Sequence, residues 1–142
     1  MRRTDLILRF WHLPGSARLL ILEALVAVLG AWAVVKFLPF KWAIQCSSRR
    51  LSVRQSDTQQ VRRVCQSVDS VSEHVPWRAL CIERGIATQW MLRRRGIDAR
   101  LHYGVGFSES RDLRAHVWIS VAGKIVIGAG PVKDYKCVAV FP

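Results

Sequence analysis

Apolar positions along the chain change their spacing twice, and each change marks a new kind of element. Residues 19–38, LLILEALVAVLGAWAVVKFL, are almost continuously apolar and predict a long helix. The Pro14-Gly15 break precedes it, Ser16 is placed to cap it, and Pro39 stops it. A short helix is expected over residues 4–12 with Thr4 as its N-cap, and the polar, aperiodic residues 46–56 read as a loop. From Asp57 the pattern becomes one-sided. Val61, Val64, Cys65, Val68 and Val71 recur at i, i+3, i+4, i+7, giving one apolar face. Asp57 and Gln60 have the spacing of a capping box. Val75-Pro76-Trp77 ends that helix. Residues 81–95, CIERGIATQWMLRRR, predict another, with Ile82, Ile86, Ala87, Trp90 and Met91 as its apolar set. Three arginines suit its last turn and Gly96 its C-terminal exit. Gly85 in its interior weakens the helix by about 1 kcal/mol relative to Ala, so a close backbone approach is expected there.

After Gly96 the period drops from 3.6 to 2. Ile97, Ala99, Leu101, Tyr103 and Val105 alternate with polar or small residues, as in a half-buried strand. Strands follow at 114–121, 124–128 and 135–141, with a tight turn at Ala122-Gly123. Helices followed by an antiparallel meander make an α+β fold. The expected organisation is a helical region, 1–75, and a core, 76–142, folded together as one domain.

Composition narrows the function. In 142 residues, 51% are hydrophobic, which excludes a disordered basic tail and leaves enough apolar mass for one core. Basic residues number 22 and acidic ones 10, for a net charge of +12. Each half of the chain carries 11 basic and 5 acidic residues, so the charge is a general field and not a nucleic-acid arm. No zinc-finger, RNP or basic-zipper pattern is present, and no nucleic-acid partner is expected. Cys46, Cys65, Cys81 and Cys137 are too far apart for zinc-type pairs, and reduced thiols are expected. No cofactor or metal is implied. The apolar run has an uncharged core of only 12 residues, Ala24–Val35, short of the ~20 that span a bilayer. A buried or interfacial helix is the first reading; an anchor and a signal peptide are the alternatives. The chain is read as cytoplasmic or membrane-peripheral, with membrane contact open to residues 19–38.

Phosphate-binding loops and nucleophile elbows are missing from the sequence, and the acidic residues are too scattered for a paired-carboxylate site. A Cys with a His remains. Cys81 opens the 81–95 helix, where first-turn N–H groups stabilise a thiolate and can hold an oxyanion. His116 lies at the start of the second strand, where a sheet can fix its ring. Thiol and imidazole form the smallest nucleophile–base pair. Cys65 and Cys137 read as core residues, His12 and His74 as surface. His102 is expected on the face opposite its strand's apolar set. Trp77 and Trp118 read as core, with a place on a cleft wall as the other option.

Three segments, PWRALC at 76–81, LRRRGIDARLHYGV at 92–105 and RAHVWISVAGKIVIG at 114–128, together resemble the leader peptidases of lasso-peptide biosynthesis. These are the transglutaminase-like C-terminal half of the B protein. The apolar stretch ending in Leu38-Pro39-Phe40 is similar to the stand-alone form of that peptidase. The resemblance implies a papain/transglutaminase-like core in which Cys81 is the nucleophile and His116 the general base. It implies three partners: the precursor peptide, a separate leader-recognition protein and the lasso cyclase. One position departs from the family. An Asp usually orients the His from the next strand, but Gly128 and Ala129 fall there. Asp134, Asp112, a backbone carbonyl or water remain as substitutes. Acyl transfer to an amine at the same site is the alternative reaction. A non-catalytic basic module binding membrane or nucleic acid is the alternative of another class.

Overall fold

The computed structural model describes residues 11–38, 57–108, 111–130 and 132–142. The expected helix start at Thr4, the loop at 46–56 and Cys46 lie outside these residues. Among the described residues, helices α1 (Gly15–Phe37), α2 (Thr58–His74) and α3 (Cys81–Arg94) precede strands β1 (Ala99–Phe107), β2 (Leu113–Val121), β3 (Lys124–Ile127) and β4 (Lys136–Phe141). A 3₁₀ turn at Val132–Asp134 leads into β4. The α+β class is as the periodicity predicts.

The valine pattern of α2 becomes its buried face: Val61, Val64, Cys65, Val68 and Val71 are all buried. Asp57 caps it, its carboxylate accepting from the Gln59 N–H at 2.9 Å. On α1 the expected cap at Ser16 is not used. The helix begins at Gly15, and Pro14 occupies the cap position with no side-chain hydrogen bond. Proline suits a helix start because its fixed φ is already helical and its missing N–H would have no partner there.

All four strands are antiparallel, in the order β3-β2-β1-β4. The expected meander is therefore wrong in its last step: β4 pairs with β1, on the far edge from β3. Gly128, at φ +76°, turns the chain off the end of β3. The 3₁₀ turn then brings it across to β1. Gln89, fully buried on α3, fixes the result by donating from Nε2 to the Ala99 and Phe141 carbonyls, each at 3.1 Å. One amide thus ties α3 to β1 and to the end of β4.

α3 is the central element, with the sheet on one side and α1 and α2 on the other. Gly85 explains how closely it lies on the sheet. A Cβ at Gly85 would sit 2.6 Å from Val117 Cγ1 and within contact of Leu101 and Ile119. The glycine that weakens the helix locally is what lets it sit down on the strands.

Candidate active site

Cys81 is the first residue of α3, and its half-buried thiol packs against the core. The turn before it is held by Glu83, which is buried. Glu83 Oε2 accepts from the Leu80 N–H at 3.1 Å and from Trp77 Nε1 at 3.4 Å. Trp77 in turn packs against Trp32 of α1, with ring centroids 5.4 Å apart. The first-turn N–H groups of α3 have no carbonyl partner inside the helix, so they are available to an anion at the Cys81 sulfur.

His116 is half-buried on β2. Its Nε2 lies 2.8 Å from the Gly128 carbonyl oxygen, which can only accept. Nε2 therefore carries the proton, and Nδ1 of the neutral ring is the free lone pair. Tyr135 packs on the imidazole at 5.2 Å and Trp118 at 6.1 Å. The position the sequence marked as unable to supply an acidic side chain, Gly128, orients the ring through its backbone. Neither Asp112 nor Asp134 is the partner of Nε2.

The carriers of Cys81 and His116 touch where Gly85, one turn below the thiol, meets Val117, the residue after the imidazole. Strand alternation then separates the two side chains. Leu101, Val117 and Ile119 face α3, so His102, His116 and Trp118 leave from the other face of the sheet. Among the described residues Cys81 makes no hydrogen bond with His116. The structure joins the two elements and orients the imidazole without closing a thiol–imidazole contact.

Sequence reasoning missed a second pair on that outer face. Cys137 is exposed, not core as expected, because β4 runs along the sheet edge beside β1. Its Sγ lies 3.9 Å from His102 Nδ1, while His102 Nε2 lies 2.7 Å from Ser120 Oγ. The His102 ring stacks on Trp118, interplanar angle 4°. Burial, and secondarily the Arg100 charge, push the His102 pKa down and favour the neutral ring. Trp118 is buried but serves these two imidazoles; a Cβ at Gly104 would be 2.6 Å from its ring. The alternation of β1 did place His102 opposite Leu101. What no local pattern carries is the pairing that brings Cys137 to it.

The remaining candidates are structural. Cys65 is buried, and burial together with the nearby Asp69 carboxylate pushes its thiol up to about 12. His74 is exposed and bonds through Nδ1 to the Ser70 carbonyl at 2.6 Å. Among the described residues no group of three His, Cys, Asp or Glu side chains is arranged to hold a metal ion.

A helix with Cys at its start, laid on an antiparallel sheet with His on the second strand, is matched by a family model described as the transglutaminase-like superfamily, over residues 24–140. The chain belongs to the transglutaminase-like superfamily. The match starts inside α1 and runs nearly to the end of β4, so it takes in part of α1, all of α2, α3, β1, β2 and β3, and most of β4. No curated protein and no solved structure gives a match. Transglutaminase-like proteins generally include cysteine peptidases and acyltransferases, and the domain suggests activity of that type here.

Proposed function

We propose that the protein is a cysteine endopeptidase that removes the leader from a ribosomally made lasso-peptide precursor. The observation that carries a catalytic reading is the placement of Cys81 at the α3 N-terminus, beside the strand that holds a ring-oriented His116. The lasso-precursor substrate rests on the resemblance of residues 76–81, 92–105 and 114–128 to those leader peptidases.

In this reaction the Sγ–H proton passes to His116 Nδ1 as sulfur attacks the carbonyl at the leader–core junction. The oxyanion is held by the first-turn N–H groups of α3. Collapse breaks the C–N bond, and Nδ1 returns the proton to the leaving amine. Water, deprotonated by the same nitrogen, then cleaves the thioester and restores the thiol. The Gly128 carbonyl keeps the ring in the required tautomer, but as a dipole it stabilises the imidazolium less than a carboxylate does. Catalysis by this pair requires a rearrangement that brings Nδ1, which leaves the sheet on the face away from α3, within hydrogen-bond reach of the sulfur. A separate recognition protein would deliver the leader, and the cyclase would use the released core.

The test mixes purified protein, recognition protein and precursor and follows the masses of the products. Free leader and core, lost in both Cys81→Ala and His116→Ala, are the expected result. Full cleavage by Cys81→Ala would sink the assignment. Products joined by a new amide, with no hydrolysis, would mean that an amine replaces water in the second step.

A further inference from the structure

Helix α1 is apolar on the side that packs against the core and also on the side that faces water. Its small residues, Ala24, Ala27, Val28 and Ala31, face the protein and are buried. Of its larger residues, Leu20, Ile21, Val34 and Val35 pack against the core, while Leu19, Leu22, Leu25, Val26 and Leu29 face out, with Leu19 70% and Val26 61% exposed. A helix that only completed a core would not leave these five apolar side chains exposed along one stripe. Between Arg18 and Lys36 the one charged residue is Glu23, and it is turned inward. Arg95 Nη1 donates to Glu23 Oε1 at 2.9 Å, and Arg94 Nη1 lies 3.5 Å away. The outer stripe therefore carries no charge. A contiguous apolar stripe of this size marks an interaction surface.

The two ends of the stripe identify what covers it. The Arg18 guanidinium lies over the Trp11 ring at 5.3 Å, and the Lys36 ammonium over Trp32 at 4.8 Å with Phe37 beside it. Paired cations and aromatics at both limits of an apolar stripe suit the headgroup level of a bilayer. The helix is long and apolar enough to cross a membrane. Its packing on α2 and α3 instead commits one side to protein, which leaves the other to lie in the plane of a surface. A net charge of +12 selects anionic lipid.

We propose that the Leu19–Leu29 face of α1 docks the protein on an anionic bilayer surface, with α1 lying in the interface. This is independent of the reaction at Cys81. The test floats the full chain with vesicles of phosphatidylcholine containing phosphatidylglycerol, against phosphatidylcholine alone. Association with the anionic vesicles is expected. It should fall at least tenfold in a Leu22→Glu/Val26→Glu variant whose circular dichroism and denaturation midpoint are unchanged. If the variant does not fold, Leu22→Ser/Val26→Ser replaces it, with the same loss expected. Equal flotation of variant and wild type would overturn the proposal, since charge alone would then explain binding. So would failure of the wild type to float, or a concentration-dependent dimer lost in the variant, which would assign the face to a second copy of the chain.

Discussion

Two thiols of this molecule stand near imidazoles, and they differ in what else surrounds them. Cys137 has the closer ring, with His102 Nδ1 at 3.9 Å, but it sits exposed on an edge strand. Its thiol also donates to the Ala139 carbonyl oxygen, 3.5 Å away. Cys137 lies inside strand β4 and opens no helix. Among the described residues Cys81 makes no imidazole hydrogen bond, yet it is half-buried at the start of a 14-residue helix whose first-turn N–H groups can hold an oxyanion. The proposed nucleophile is therefore not the thiol that lies nearest a ring. Backbone N–H groups that can hold an oxyanion weigh more in the proposed reaction, and among the described cysteines Cys81 is the one that opens a helix.

The comparison breaks first under exchange of the thiols. Cys81→Ala should lower leader removal by at least about 10³-fold, while Cys137→Ser leaves the rate near wild type. The reverse outcome, read by mass spectrometry of the precursor, would move the site to the outer face. Next, His116→Ala should reduce the rate by about 10²–10⁴-fold, with His102→Ala having little effect. A third change tests the contact that joins the two elements. Gly85→Val places a branched side chain where a Cβ alone would be 2.6 Å from Val117. Overpacking there should destabilise by about 1–3 kcal/mol, seen as a lower denaturation midpoint with its slope unchanged.

The smallest expected effect concerns the α1–α3 contact. Hydrogen bonds from Arg95, against the opposing cost of burial, hold Glu23 below its ordinary value of 4.5. A lowered carboxylate stabilises the fold above its unfolded value, and that contribution is lost as pH falls through the lower folded value. Glu23→Gln should therefore cost about 1 kcal/mol at neutral pH and flatten the loss of stability below pH 4.5. Urea titrations at several pH values check both statements.

The legible and illegible parts of this fold divide by the range of the interaction. The α2 valine stripe, the strands around Leu101 and Val117, and Cys81 at a helix start all follow from spacing within a few residues. Gly85 could be read as a packing glycine because its local cost demanded a tertiary reason. The edge pairing of β4 could not be read, since it depends on the turn at Gly128 and on the Gln89 amide reaching Phe141, 52 residues away. The exposure of Cys137 was lost with it. Gly128 shows both sides at once. The tight turn at Ala122-Gly123 placed it across from His116, and its lack of a side chain looked disabling. Its carbonyl, which every residue has and no motif displays, supplies the hydrogen bond.

The account stands or falls on whether His116 serves the Cys81 sulfur. The direct measurement is the rate of Cys81 alkylation by iodoacetamide across the pH range in wild type and His116→Ala, with the Cys65, Cys81 and Cys137 peptides resolved by mass. At neutral pH the account predicts that Cys81 reacts at least tenfold more slowly in the variant while Cys137 reacts at the same rate in both. Superimposable Cys81 profiles in the two proteins would contradict it.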